Sequence, residues 1–125
     1  MDSVGLLISV VDDDESVRES LPDLLREFGF SAKAFASARE FLESHSANKT
    51  KCLIADIAMP GMSGPELKLA LEKMGISIPT IFITAHAEMC SRPEIRERAV
   101  ACLIKPFSDT ALQDAVKRAL NLKRK

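Results

Sequence analysis

The chain lacks a long apolar run, a surplus of charge of either sign, and a paired-cysteine pattern. Each absence excludes something. No stretch approaches the length a helix needs to cross a bilayer, and no charged start leads into an apolar segment as a secretory leader would. Seventeen basic and eighteen acidic residues leave a formal net charge of −1. That balance gives no footprint for nucleic acid or an anionic membrane, although the tail LNLKRK is locally basic. Cys52, Cys90 and Cys102 are an odd count with no CxxC spacing. They read as reduced thiols of a soluble cytoplasmic protein, with Cys52 and Cys102 as small core residues. Repeats, low-complexity tracts and a second boundary are also missing, so residues 1–125 are expected to form one domain with one core.

What is present is a rhythm. Apolar runs of strand length recur as LLISVV (6–11), SAKAF (31–35), KCLIA (51–55), PTIFIT (79–84) and ACLI (101–104). All but SAKAF lack strict alternation, the pattern of strands buried on both faces. Helical stripes lie between them: Val17, Leu21, Leu24, Leu25 and Phe28; then Leu67, Leu71 and Met74; then Leu112, Ala115, Val116, Ala119 and Leu120. Ser37 with Glu40, Ser63 with Glu66, and Ser91 with Glu94 have capping-box spacing, while Gly29 and Gly75 sit where helices end. Pro22 is a discord inside the first helix. Residues 92–99 offer only Ile95 and Ala99 to a core, which predicts a short, marginal helix. Five β-α units imply a parallel sheet with helices on both faces. Such sheets carry their sites at the carboxyl ends of strands, near the switch in strand order.

At that rim the acids become informative. VVDDDES puts Asp12, Asp13 and Asp14 together after the first strand, and Asp56 ends the third. Thr84 ends the fourth strand and Lys105 the fifth. Converging carboxylates raise one another's pKa unless a hard cation sits among them, and oxygen ligands suit Mg²⁺. A carboxylate flanked by a cation, a hydroxyl and a lysine is what phosphoryl transfer to that carboxylate requires, with Asp56 as nucleophile.

The ordered set DD after strand one, LIADIAMPGMSG, ITAH and KPF resembles the receiver domain of two-component response regulators. Within that family the chain is similar to receivers of the FixJ/NarL group, which precede a helix-turn-helix output domain. The resemblance covers essentially all 125 residues and implies a doubly wound, five-stranded, flavodoxin-like (CheY-like) α/β fold. It implies that Asp56 accepts a phosphoryl group from a sensor histidine kinase. Asp13 and Asp56 would bind Mg²⁺ directly, Asp12 through water, and the backbone carbonyl of Ala58 would complete the protein ligands. Thr84 would hydrogen-bond the phosphoryl group, Lys105 would pair with it, and the Lys105–Pro106 peptide would be cis. A phosphorylation-dependent homodimer is a further implication, as is DNA contact through an output domain beyond Lys125.

Blander readings stand beside these. Thr84 alone is a strand residue, and a lone Lys-Pro is a turn. Asp14 and Glu15 fall outside the motif and read as acids at a helix start. His86 and His45 read as solvated, and Met59 and Met62 as shapers of the Pro60–Gly61 loop. An enzyme is the rival function, because Asp12-x-Asp14-x-Ser16 matches the start of haloacid-dehalogenase-like phosphohydrolases with Asp12 as nucleophile. Only isolated Asp109 and Asp114 could then serve as its later acids. A degenerate receiver that no longer takes phosphate is a third reading. Two positions depart from the receiver pattern: Cys102 stands where the family usually carries an aromatic, and Arg98 where it usually carries a glycine. Both bear on output rather than on the acid pocket.

Overall fold

The computed structural model describes residues 5–121. The basic tail at 123–125 lies outside the described residues. Ten elements alternate: β1 (Leu7–Val11), α1 (Glu15–Glu27), β2 (Ser31–Phe35), α2 (Ala38–Glu43), β3 (Thr50–Asp56), α3 (Gly64–Lys73), β4 (Thr80–Thr84), α4 (Pro93–Arg96), β5 (Ala101–Ile104) and α5 (Asp109–Ala119). The strands form one parallel sheet in the order β2-β1-β3-β4-β5. The chain steps outward from β1 to β2, then crosses back to β3 on the other side of β1. The strand order therefore switches between β1 and β3, where a crevice opens at the carboxyl ends.

Two apolar layers explain why the strands lack alternation. Ile8 and Val10, Cys52 and Ile54, and Ile81 and Ile83 pack on one face with Leu21, Leu25, Leu112 and Val116 of α1 and α5. Val11, Leu53, Ala55 and Phe82 pack on the other face with Phe41, Leu67, Leu71 and Ile95 of α2, α3 and α4. With period-two side chains, burial of both faces makes every position apolar. Ser9 is the exception in β1, and its hydroxyl is satisfied by Thr50 Oγ1 at 2.7 Å. β5 departs from the expectation for ACLI: it is an edge strand, only half-buried, with Ile104 exposed. Having a neighbour on one side only, it loses cover that the central strands keep.

The helix ends follow local chemistry. Ser63 and Glu66 form the full capping box, with Glu66 N donating to Ser63 Oγ at 3.2 Å and Ser63 N to Glu66 Oε1 at 2.9 Å. Ser37 caps α2 through Glu40 N, while the Glu40 carboxylate accepts from Ala36 N. Gly29 and Gly75 take positive φ after α1 and α3, as helix-ending glycines do. The Ser91–Glu94 pair does not cap. Pro93 sets the first turn of α4, and Arg92 occupies the cap position with no side-chain hydrogen bond. The helix itself is as short as its two apolar residues predicted, with Ile95 buried and Ala99 half-buried. Met74 leaves its predicted stripe, being 58% exposed at the C-cap of α3. α1 runs on through the buried Pro22.

The cysteines divide differently from the sequence expectation. Cys52 is free and fully buried, as expected of a small core residue. Cys102 is not a reduced core thiol: it is half-buried in β5 and disulfide-bonded to Cys90. Spacing along the chain gave no sign of that contact, because the two meet only after β5 pairs with β4.

Candidate functional site

The rim of the sheet collects the expected residues. Asp12 directly follows β1 and is fully buried. Its N–H donates to Phe35 O at 3.1 Å, extending the β1–β2 ladder by one residue. Its Oδ1 accepts from Asp14 N at 2.9 Å, and its carbonyl accepts from Arg18 Nη1 at 3.0 Å. These contacts fix the turn and leave Oδ2 facing inward. Asp13, next along, is exposed. Asp56 closes β3 with a side chain only 10% exposed. Carboxylate oxygens of Asp12, Asp13 and Asp56 lie within 4.8 Å of one another.

Lys105 enters from the end of β5. Its Nζ stands 2.9 Å from Asp12 Oδ2 and 3.7 Å from Asp56 Oδ2, and the Lys105–Pro106 peptide is cis. Asp12 Oδ2 thus has the Lys105 ammonium as its partner. Carboxylate oxygens of three aspartates brought this close together suit a hard divalent cation.

Electrostatics sharpen the picture. Burial, then the negative charge of Asp12, push the Asp56 carboxyl up to about 6, against the opposing pull of Lys105 and of the Ala58 N–H. For Lys105, burial alone would lower the value, but the adjacent Asp12 carboxylate and then Asp56 outweigh it and raise the ammonium above its usual range. Each charge holds the other in place.

Thr84 ends β4, buried beside Ile83, the register partner of Asp56. Its Oγ1 accepts from His86 N at 3.0 Å, while among the described residues the acceptor near its proton is His86 O at 3.5 Å. The hydroxyl thus keeps a donor available. His86 contributes its backbone to this contact and is otherwise exposed, as its solvated reading required. Ala58 lies in the exposed part of the loop after β3, two residues past Asp56.

Two residues at the site were missed in the sequence. Gly64, the first residue of α3, packs so closely on β3 that a Cβ would stand 2.5 Å from the Asp56 carbonyl oxygen. Its position inside LIADIAMPGMSG was visible, but the need for a missing side chain was not. Arg18 is the other, a helical arginine whose link to the Asp12 carbonyl no local pattern announces.

Asp14 belongs to the start of α1, in keeping with its reading as a helix-start acid. Its Oδ1 accepts from Ser16 N at 2.9 Å and from Ser16 Oγ at 3.0 Å, so it is the N-cap of α1. The Ser16 backbone and hydroxyl bonds hold its carboxyl below the usual range. The phosphohydrolase alternative is not favoured: its second acid and its serine are spent on each other at the cap, while Asp109 and Asp114 lie on exposed positions of α5. Arg98 occupies its turn without positive φ, so glycine is not needed there, and its Nη1 pairs with Glu72 of α3 at 2.8 Å.

The response regulator receiver domain model matches residues 8–117. Among curated relatives, nodulation protein W of Bradyrhizobium diazoefficiens is 41% identical over 124 residues, covering 98% of this chain and 55% of that protein. Transcriptional regulatory protein FixJ of Rhizobium meliloti is 39% identical over 113 residues, covering 90% of this chain and 55% of that one. The chain thus spans about half the length of these relatives. The crystal structure of FixJ-N superimposes with a TM-score of 0.83 at 36% identity, over 100% of this chain and 99% of that one. Response regulator protein TrrA from Thermotoga maritima, in complex with Mg²⁺-BeF, gives 0.81 at 30% identity, over 91% of this chain and 98% of that one. Strand order, rim residues and matched span agree, and the chain belongs to the response regulator receiver domain family.

Proposed function

We propose that this receiver domain is a phosphorylation-controlled switch in which Asp56 takes a phosphoryl group from a sensor histidine kinase. The observation that carries the reading is the setting of the Asp56 carboxylate, grouped with Asp12 and Asp13 and 3.7 Å from the Lys105 ammonium. Asp56 attacks phosphorus, the bond from phosphorus to the kinase histidine nitrogen breaks with its electrons going to nitrogen, and an acyl phosphate forms. Lys105 and the Thr84 hydroxyl would meet the phosphoryl oxygens, where the transition state spreads its charge.

Asp13 and Asp56 would hold Mg²⁺ directly, Asp12 through water, with the Ala58 carbonyl completing the protein ligands. When bound, the ion supplies charge neutralisation between the carboxylates and the incoming phosphoryl group. A phosphodonor as small as acetyl phosphate suffices for the same transfer, and attack of water on phosphorus returns Asp56 and inorganic phosphate. Chemistry is confined to this self-modification, and no external substrate is turned over.

Thr84 links the site to the surface. A hydroxyl drawn toward the phosphoryl group gives up its contacts with His86 and biases the segment beyond β4 between two arrangements. Since the chain spans about half of relatives that include a transcriptional regulator, residues 1–125 are read as the N-terminal receiver of a longer cytoplasmic regulator. DNA contact would belong to its output domain, and phosphorylation would favour a homodimer.

Incubation with acetyl phosphate and Mg²⁺ followed by intact mass measurement tests the assignment. Wild type is expected to gain one phosphoryl group and Asp56→Asn none. Label that survives in Asp56→Asn but disappears in Asp12→Asn would overturn it in favour of the hydrolase.

A further inference from the structure

Cys90 and Cys102 belong to the two segments that leave the phosphoryl site. Cys90 sits in a 3-10 turn, Ala87–Ser91, six residues beyond Thr84. Cys102 sits in β5, three residues before Lys105, opposite Phe82 of β4. Their Cα atoms are 5.6 Å apart, within the range a disulfide spans without backbone movement. Both are half-buried and line a cavity of about 290 Å³ with Ile95, Arg96 and Ala99. The bond closes a loop of sequence separation 12 that contains the whole of α4. That helix is one turn long, lacks a side-chain cap and buries one residue, Ile95. Besides the crosslink, the buried Ile95 and the Arg98–Glu72 pair just past its end hold it.

We propose that Cys90 and Cys102 form a reversible dithiol–disulfide site that takes low-molecular-weight disulfides as its oxidant and sets the mobility of the α4 segment. In the oxidising direction one cysteine, as thiolate, attacks a sulfur of the small disulfide and expels one small thiolate, which takes up a proton. The second cysteine loses its proton and attacks the protein sulfur of the mixed disulfide, expelling the second small thiol. The protein gives up two electrons and two protons, and the small disulfide becomes two thiols. Arg96 lines the same cavity. In a reducing compartment, disulfides are transient or sensing rather than structural. A half-buried pair flanking a one-turn helix fits that role. Cys52 cannot substitute: it is fully buried, and burial pushes its thiol up to about 12.

Crosslinking itself does not depend on phosphorylation. The consequence for signalling rests on the proposed role of Asp56: the disulfide ties the turn beyond Thr84 to the strand that carries Lys105, and so opposes rearrangement of the face between them.

The test uses the 125-residue chain equilibrated in buffers of graded reduced-to-oxidised glutathione, trapped by alkylation, and read by intact mass and peptide mapping. A single Cys90–Cys102 crosslink is expected, forming and reversing as the ratio is changed, with Cys52 unlabelled until the protein is denatured. Hydrogen exchange of the segment from 87 to 100 is expected to be about tenfold or more slower in the oxidised form, a difference abolished in Cys90→Ser and in Cys102→Ser. No crosslink at any ratio overturns the proposal. So does a crosslink that survives excess reduced glutathione, or exchange that is equal in the two forms. Phosphoryl uptake from acetyl phosphate, measured by mass on both forms, is scored separately. Loss of uptake in both would count against the Asp56 reading alone, and a redox response would stand without it.

Discussion

Lys105 stands nearer to Asp12 than to Asp56, at 2.9 Å against 3.7 Å. Its charge is therefore spent first on a carboxylate that is fully buried. Removing the lysine leaves that buried carboxylate beside two others. Lys105→Met is expected to lose roughly 2 to 3 kcal/mol of stability without divalent cations, because breaking one side of a buried pair strands the other charge. Millimolar Mg²⁺ should restore part of the loss. Urea unfolding with EDTA and with Mg²⁺ measures both effects, and a variant as stable as wild type in EDTA would show that the acids do not strain the fold.

The raised Asp56 carboxyl makes a signed prediction about pH. Its folded value of about 6 lies above the ordinary 3.8, so the folded chain binds the proton more tightly than the unfolded chain. Stability from this group is present at low pH and is lost as pH rises through the folded value. In EDTA, wild type should therefore lose stability relative to Asp56→Asn between about pH 4 and about pH 7. Magnesium should flatten the difference, since the ionised carboxylate then has a partner. A wild-type curve that rises relative to the variant over this interval has the opposite sign and would refute the crowding argument.

Gly64 tests backbone packing apart from charge. A Cβ there meets the Asp56 carbonyl oxygen at 2.5 Å, which neither backbone can relieve by rotating a side chain. Gly64→Ala is expected to cost about 1 to 3 kcal/mol as an overpacking change and to slow phosphorylation, because the strand end that carries Asp56 must shift. Gly75→Ala is the control. Its site has positive φ but open space, so it should lose about 1 kcal/mol through backbone strain while phosphorylation per folded molecule is unchanged. Equal phosphorylation rates in the two variants would remove Gly64 from the site.

Much of this was legible in the sequence, and for a physical reason. In a parallel sheet every strand runs the same way, so whatever follows each apolar run arrives at one rim. Asp12, Asp56, Thr84 and Lys105 could be grouped without knowing a single distance. What stayed hidden depended on neighbours across strands. Cys90 and Cys102 are brought together by the β4–β5 pairing, and nothing in their own surroundings marks them as partners. Ser91 and Glu94 had the spacing of a capping box, but Pro93 moved the helix start to a frame in which that spacing means nothing. ACLI read as a strand buried on both faces because composition does not reveal which strand lies at the edge. The lack of room for a side chain at Gly64 is a property of the packed loop alone.

The acid run itself divides into two jobs that mutation can separate. Asp13 is exposed and lies with Asp12 and Asp56, while Asp14 is tied to Ser16 as the helix cap. Asp13→Asn should leave the metal-free protein as stable as wild type or slightly more so, since one repulsive charge is gone, but should abolish most of the stabilisation by Mg²⁺. Asp14→Asn should change neither quantity, because asparagine caps a helix about as well as aspartate. Asp14→Ala should destabilise the metal-free protein through the lost helix cap and keep the full magnesium response. Thermal unfolding of the three variants across a magnesium titration reads all of this. If Asp14→Ala lost the magnesium response and Asp13→Asn kept it, the two aspartates would have to exchange roles, and the cation would sit one residue further along the turn than the burial of Asp12 places it.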